Sequence, residues 1–427
     1  MAAARLLGAV IDRRTSLDGL TDDHHGHPHY LALEPRDRAL VRAILLTALR
    51  HRLTIERIVA GRLDRPLPAG ASALNHLLHV AVAQIVWLDV PDSAAVNLAV
   101  EHAKSDPRMR RFARLVNAVL RGIKPDQHRD ATVPADLPGW FAERMTEAWC
   151  ADATARMAAM MAVPAPVDFT VKADAAQWAE RLGGAVLPTG GVRVVRPEAA
   201  IPDLPGYAEG AWWVQDAAAA IPALLFGDIA GKRVADLCAA PGGKTAQLIH
   251  AGADVTALDL SQNRLKRLAA NLDRLGMGAE LVASDLFDFA PDDPFDAVLL
   301  DAPCSSTGTV RRHPDVVWTK TPDDIARLAE LQARMLDHAL TLVKPGGIVV
   351  FANCSLDPSE GEDVIAALLA RRADVVLEDA RDMLPEALGF AVTPQGCVRT
   401  LPDSLDMGTP ERSGMDGFFA ARLRRKV

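Results

Sequence analysis

The sequence predicts a multidomain chain: an all-α domain over residues 1–130, a small α+β subdomain over 139–210 and a doubly wound α/β domain over 211–427. Three observations predict it. Up to residue 130 the apolar residues recur at helical spacing. The stretch Lys124 to Pro138 is polar, carries Pro125, Pro134 and Pro138, and reads as a linker. From Gly231 onward, short apolar strands alternate regularly with helices, the mark of an α/β domain.

Taken in order, Arg36 to Ile58 places Leu40, Ile44, Leu45, Ala48 and Leu49 on one helical face. Ser72 to Leu88, Ser93 to Ala103 and Arg110 to Ile123 repeat the pattern, with Ser72 and Ser93 as candidate N-caps. In the middle piece, Gly139 to Met161 starts as helix. Asp168 to Lys172 and Gly191 to Val195 read as strands, Ala175 to Leu182 as a helix, and Trp212 to Phe226 as the start of another. The α/β domain then offers strands at Arg233 to Cys238, Val255 to Leu260, Glu280 to Ala283, Asp296 to Leu300 and Gly347 to Phe351. Its helices are Thr245 to Ala251, Ser261 to Leu275, Asp323 to Val343 and Glu360 to Arg371. Val398 to Leu401 and Gly417 to Leu423 read as late strands, forming an antiparallel edge.

Composition excludes several classes. Of 427 residues, 49 % are apolar and 24 % charged, ordinary for a globular protein. The five cysteines (Cys150, Cys238, Cys304, Cys354, Cys397) form neither a disulfide framework nor a Cys-x-x-Cys knuckle. Free thiols suit a reducing cytoplasm. Leu6 to Ile11 is too short for a secretory core, and Leu77 to Leu88 too short for a membrane span. Net charge is −8, yet residues 1–130 hold 19 Lys and Arg against 14 Asp and Glu, leaving 28 against 41 elsewhere. A locally basic N-terminal module can meet a phosphate backbone while the whole chain stays acidic. His24-His25-Gly26-His27-Pro28-His29 reads as a loop, with no ligand set for a metal.

The chemistry-bearing residues gather at strand ends, where open α/β sheets bind ligands. Asp236-Leu237-Cys238-Ala239-Ala240-Pro241-Gly242-Gly243-Lys244-Thr245 occupies the first strand–helix turn. Small residues let a ligand approach the backbone, and the helix start offers unpaired N–H groups. A P-loop is rejected, because the glycine it needs five positions before Gly243 is Cys238. Asp259, Asp285 and Asp301 end successive strands. Asp259 is placed to accept a ribose's hydroxyls and Asp285 an adenine amino group. Cys304, in Asp301-Ala302-Pro303-Cys304-Ser305-Ser306-Thr307-Gly308, and Cys354, in Asn353-Cys354-Ser355-Leu356, each follow a buried strand and precede Ser. If those strands are neighbours, roughly 5 Å apart, both thiols enter one crevice beside Asp301. Two thiols and a carboxylate suit covalent activation of an electron-poor ring followed by removal of a proton.

These motifs together resemble the RNA (cytosine-5) methyltransferases of the NOL1/NOP2/Sun family. Trp213-Val214-Gln215-Asp216 and the terminal Asp416-Gly417-Phe418-Phe419-Ala420-Ala421-Arg422-Leu423 match that family's flanking motifs. Residues 37–123, with Val90-Pro91-Asp92, Ala95-Val96-Asn97 and Val116-Asn117-Ala118-Val119-Leu120-Arg121, are similar to the NusB-like RNA-binding domain of its bacterial 16S rRNA (RsmB or Sun) branch. The resemblance covers nearly the whole chain. It implies a Rossmann-like methyltransferase domain, an RRM-like middle subdomain, S-adenosylmethionine as cofactor and 16S rRNA as partner, in a cytoplasmic monomer.

Residue by residue, the resemblance implies that Cys238, Ala239, Ala240, Pro241, Gly242, Gly243 and Lys244 line S-adenosylmethionine. Asp259 would hold its ribose and Asp285 its adenine. Asp301 and Pro303 would face both the cytosine and the methyl donor. Cys354 would be the nucleophile at C6 and Cys304 would help product release. A thiolate at C6 puts electron density on C5, which attacks the methyl group. Asp301, protonated or hydrogen-bonding, would stabilise the adduct at N3. Cys304, or a water it orients, would take the C5 proton. Two other readings use the same fold: a non-catalytic RNA-binding or assembly factor, and the same chemistry on tRNA or on DNA. Phe351-Ala352-Asn353 and Asp357-Pro358-Ser359-Glu360-Gly361-Glu362-Asp363 depart from the family's usual residues around Cys354 without removing a reacting group. The tryptophans read as core residues; for Trp318, after Arg311-Arg312-His313-Pro314, a loop that grips RNA is the second reading.

Overall fold

The computed structural model describes residues 2–68, 70–88, 90–124 and 136–427. Most of the expected linker, residues 125–135, lies outside the described residues. The chain forms two compact units, Met1–Ala162 with Val310–Thr321, and Val163–Thr309 with Pro322–Val427. The expected divisions at 130, 139 and 211 differ from this one in two places. The helix Gly139–Ala162 goes with the first unit, and the middle subdomain shares a unit with the large α/β domain.

Every regular element among the first unit's described residues is a helix. Its centre is the helix Ser72–Trp87, apolar round most of its circumference and buried at every position from His76 to Val86. Leu6, Leu7 and Val10 of helix Ala2–Arg13 and Leu45 and Leu49 of helix Pro35–Arg50 close over it. Neither Ser72 nor Ser93 is a cap. The helices start at Ser72 and Asp92, with Ala71 and Pro91 in the cap positions. The second cap, Pro91, lies two residues earlier than the expected Ser93, and Asp92 is the acidic residue of the first turn, at the positive helix start.

The segment Val310–Thr321 is part of this same unit, in keeping with the core reading of Trp318. Its ring packs on the helical core, and its indole N–H donates to Leu49 O at 3.3 Å. Arg50 donates to Arg311 O at 2.8 Å, and Asp315 accepts the Leu17 N–H at 2.9 Å. Arg311 itself is buried. The ring is half-buried and spends much of its area on this packing, with Arg52 over its face.

The second unit holds two sheets. The small one comprises β1 (Val167–Val171), β2 (Ala185–Val186), β3 (Val192–Val194) and β4 (Trp212–Val214), in the order β2-β3-β1-β4, all antiparallel. Trp212 and Trp213, expected to open a helix, lie in β4 opposite Val171 and Thr170. The helix begins only at Ala217, where Asp216 accepts the Ala218 N–H at 2.8 Å. A buried pair, Arg193 and Asp168 at 2.7 Å, pins this sheet to its neighbours: Asp168 accepts the Ala217 N–H, and Arg193 donates to the carbonyls of Arg412 and Gly414.

The large sheet comprises β5 (Arg233–Leu237), β6 (Asp254–Asp259), β7 (Glu280–Ala283), β8 (Phe295–Asp301), β9 (Val343–Asn353), β10 (Val375–Glu378), β11 (Val398–Thr400) and β12 (Phe418–Arg425). The order is β10-β12-β9-β8-β5-β6-β7, with β11 on β12. β9, β8, β5, β6 and β7 run parallel. β12 is antiparallel, as expected, but it lies inside the sheet between β9 and β10. β10 was not anticipated: four residues carry too little alternation to announce a strand. Side chains alternate to two apolar layers, Leu300 and Phe351 on one face, Leu299 and Val350 on the other. The strand order reverses between β5 and β8, so a ligand crevice is expected above their carboxyl ends. Among the described residues no helix is long and apolar enough to cross a membrane.

Candidate active site

Strand register brings the predicted residues to that crevice. β8 and β9 are adjacent and parallel, with Asp301 opposite Ala352, so Cys304 and Cys354 both lie just past their strand ends. Their sulfurs are 3.4 Å apart. Both residues remain partly exposed. Gly308 makes the approach possible: its N–H donates to Cys354 O at 2.9 Å, and its carbonyl accepts from Gly417 N at 2.9 Å. A Cβ on Gly308 would stand 1.9 Å from Gly417 O and 2.8 Å from Cys354 O. Ser306, at φ 60°, holds its hydroxyl 4.0 Å from Cys304 Sγ.

The two thiols are not equivalent. The hydrogen bond from Cys304 lowers the Cys354 thiol below its ordinary 9.0, against burial, which raises it. The same bond, together with burial, pushes Cys304 well above its ordinary value. Cys354 is therefore the more readily ionised sulfur, and Cys304 keeps its proton. Cys238, 66 positions before Cys304 in the chain, is instead pushed up to about 12, chiefly by burial, and is inert as a nucleophile.

Beside the thiols, Lys244 Nζ donates to Asp301 Oδ2 at 2.7 Å and lies 4.9 Å over the Phe418 ring. This pair joins the turn after β5 to the end of β8. The turn itself is sharply bent, with Cys238 at φ 64° and Gly242 at φ 103°. A Cβ on Gly242 would press on Leu268 at 2.8 Å. Asp259, buried at the end of β6, accepts the Ala240 N–H at 3.2 Å and the Ser261 N–H at 2.9 Å, and Arg264 stands 3.3 Å from it. Asp285 is exposed past β7, where its carboxylate accepts the Phe287 N–H at 2.9 Å. Pro303 is exposed, and its carbonyl accepts from Gln332 at 3.0 Å. Among the described residues no group of His, Cys, Asp and Glu stands together as a metal site.

Residues 226–424 match the model of the family described as 16S rRNA methyltransferase RsmB/F, and residues 1–125 match the NusB family. A protein of Xylella fastidiosa named ribosomal RNA small subunit methyltransferase B is 36 % identical, over 100 % of this chain and 98 % of its own length. One of the same name from Xanthomonas campestris is 38 % identical, over 99 % and 96 %. The chain belongs to the RsmB/F family. A methyltransferase homolog protein from Pyrococcus horikoshii, whose structure is solved, is 30 % identical with a TM-score of 0.54, over 67 % of this chain and 94 % of that one. The family is S-adenosylmethionine-dependent, and the fold is a NusB-like helical domain followed by a Rossmann-like methyltransferase domain.

The residues present fit that cofactor. Asp236, fully buried at the end of β5, accepts from Thr245 Oγ1 at 2.6 Å through one oxygen, while its other oxygen has no partner. Burial raises its carboxyl to about 7. An acceptor left open beside a glycine turn and a helix start suits a ligand that is cationic at one end and carboxylate at the other. Asp236 was not singled out from sequence as a ligand residue, although it leads the Asp-x-Cys turn. Glu360 was missed too. It is fully buried behind the thiols, and in sequence it read as the first residue of the helix Glu360 to Arg371 and as part of the segment that departs from the family's usual residues.

Proposed function

We propose that this chain transfers a methyl group from S-adenosylmethionine to C5 of a cytosine in RNA, with 16S rRNA as the substrate class, through a transient bond between Cys354 and C6. The observation that carries the reading is the pair of thiols 3.4 Å apart at the ends of β8 and β9, with Asp301 at the same strand end. S-adenosylmethionine supplies an electrophilic methyl group.

Cys354 is the nucleophile because its thiol is the one that the neighbouring hydrogen bond eases toward thiolate. Its attack on C6 makes C5 nucleophilic. Asp301, oriented by Lys244, donates to N3 in its protonated form and so steadies the negative charge that develops in the ring. Cys304 stays protonated during the attack. Once Cys354 is bonded to C6 it is a neutral thioether and no longer holds the Cys304 proton, so Cys304 releases that proton to solvent; after methyl transfer the Cys304 thiolate, or a water it orients, takes the C5 proton, and the electrons of that C–H bond expel Cys354 as thiolate. Cys238 to Lys244, Asp259 and Asp285 hold the cofactor, with Asp285 reaching it only from its exposed position at the rim. The reacting base must be unstacked to enter a crevice at strand ends, and the basic helical domain supplies electrostatic attraction for RNA.

Bisulfite sequencing of 16S rRNA from cells with and without the gene tests reaction, substrate and position together. The expected outcome is one protected cytosine that becomes convertible on deletion. An unchanged pattern would favour a non-catalytic assembly role, and loss of a tRNA signal instead would move the substrate.

A further inference from the structure

Behind the two thiols lies a buried carboxylate that no reacting group touches. Glu360 has no exposed surface. An ionised carboxylate tolerates such burial only when donors surround it. Here they do. Oε1 accepts the Ser305 N–H at 2.9 Å and the Gln332 amide at 2.9 Å. Oε2 accepts the Ser305 hydroxyl at 2.5 Å and the Ser355 hydroxyl at 2.6 Å. The Glu360 carbonyl accepts from Asn353 Nδ2 at 2.6 Å, and Asn353 Oδ1 in turn accepts the Ser355 N–H at 3.0 Å.

The pattern of partners is specific. Ser305 directly follows Cys304, Ser355 directly follows Cys354, and Asn353 directly precedes Cys354. One side chain thus grips both cysteine loops from behind, while Gln332 ties the first of them again through Pro303 O at 3.0 Å. Thr307 Oγ1 completes a hydroxyl ring with Ser305 and Ser355, 3.2 Å from each, and accepts the Leu356 N–H at 3.0 Å. No element of regular structure otherwise ties Ser305 to Ser355, since both lie beyond the paired ends of β8 and β9.

We propose that Glu360 is a positioning residue that holds the Cys304 and Cys354 loops at one spacing, so that attack at C6 and release from it occur in a single geometry. This rests on the functional reading above. A carboxylate serves because all its partners donate to it. In Glu360→Gln the amide NH2 would face two hydroxyls that now donate, so both hydroxyls must turn and the ring through Thr307 must reverse. Size is kept while the direction of the bonds is lost.

The test measures spacing separately from catalysis. Diamide takes two hydrogens from a thiol pair, leaving one S–S bond while its own N=N bond is reduced to N–N. Mass spectrometry of the Cys304–Cys354 cross-linked peptide gives the rate of that reaction in the full-length protein. Glu360→Gln should keep its affinity for S-adenosylmethionine within about twofold, by calorimetry. Its kcat should fall at least tenfold with little change in KM for RNA, and the cross-linking rate should fall by a similar factor. Wild-type cross-linking and wild-type kcat together in Glu360→Gln would overturn the proposal. If Glu360→Gln does not fold, Ser355→Ala, which removes one arm only, should slow cross-linking at least threefold, and an unchanged rate there overturns it equally. Cys354→Ala separates the two claims. Methyl transfer surviving in that variant would sink the functional reading, while the cross-linking rates would still decide the role of Glu360.

Discussion

Cys304 Sγ and Cys354 Sγ stand 3.4 Å apart across 50 positions of chain, and their shared hydrogen bond raises the first thiol and lowers the second. That asymmetry supports the proposed roles. Cys354→Ala should abolish methyl transfer. Cys304→Ala should accumulate a covalent protein–RNA species, visible as a shifted band that survives denaturation, because the release step lacks its proton acceptor. The reverse pattern would exchange the roles.

The same hydrogen bond predicts a pH dependence. Cys354 is lowered from 9.0, so the rate of adduct formation should rise with pH along a limb centred below that value. Cys304→Ala removes the donor, and the limb should move to higher pH. A limb that stays in place would mean that another group sets the ionisation of Cys354.

Lys244 and Asp301 form a half-buried pair, so removing the cation leaves a carboxylate facing the crevice alone. Truncating one partner of a buried charge pair costs about 2–5 kcal/mol. Lys244→Met should therefore lower kcat/KM by about 10²-fold, measured with tritiated S-adenosylmethionine. An effect of less than threefold would remove this pair from the working site.

Asp236 makes a prediction about stability. Its folded value of about 7 lies above the ordinary 3.8. Between those values the unfolded chain loses the proton and the folded one keeps it, so folding takes up a proton and this contribution falls as pH rises. It is complete below 3.8 and lost through about 7. Relative to wild type, Asp236→Asn should gain up to about 1.4 kcal/mol per pH unit across that window and nothing further above it. Urea unfolding at several pH values measures the difference, and a flat difference would place the Asp236 carboxyl in its ordinary range.

Trp318 separates packing from RNA contact. Trp318→Ala removes a ring from the helical core and should cost about 2 kcal/mol of stability. Affinity for RNA, measured at a temperature where the variant is folded, should change less than twofold. A large loss of affinity in the folded variant would favour the RNA-gripping reading.

Much of the fold was legible because its signals are local. Alternation of strand and helix after Gly231 places the five parallel strands, and the Cys238–Lys244 turn names its position by composition alone. The elements misread or missed are those whose signal is not local. Trp212–Val214 carries no alternation, and only pairing with β1 makes it a strand. β10 exists because β12 offers it an edge. The Val310–Thr321 segment reads as a loop after a catalytic strand, yet its apolar side chains find their burial in the helical unit.

The sequence by itself determined which residue types stand at which strand ends, because a strand's end and the turn after it are written in adjacent residues. It therefore determined the two thiols, Asp301 and the cofactor turn as candidates. Tertiary structure alone decided that β8 and β9 are neighbours, which thiol is eased toward ionisation, and that Glu360 reaches both cysteine loops. Those facts depend on strand order and on burial, and both arise from contacts between residues far apart in the chain.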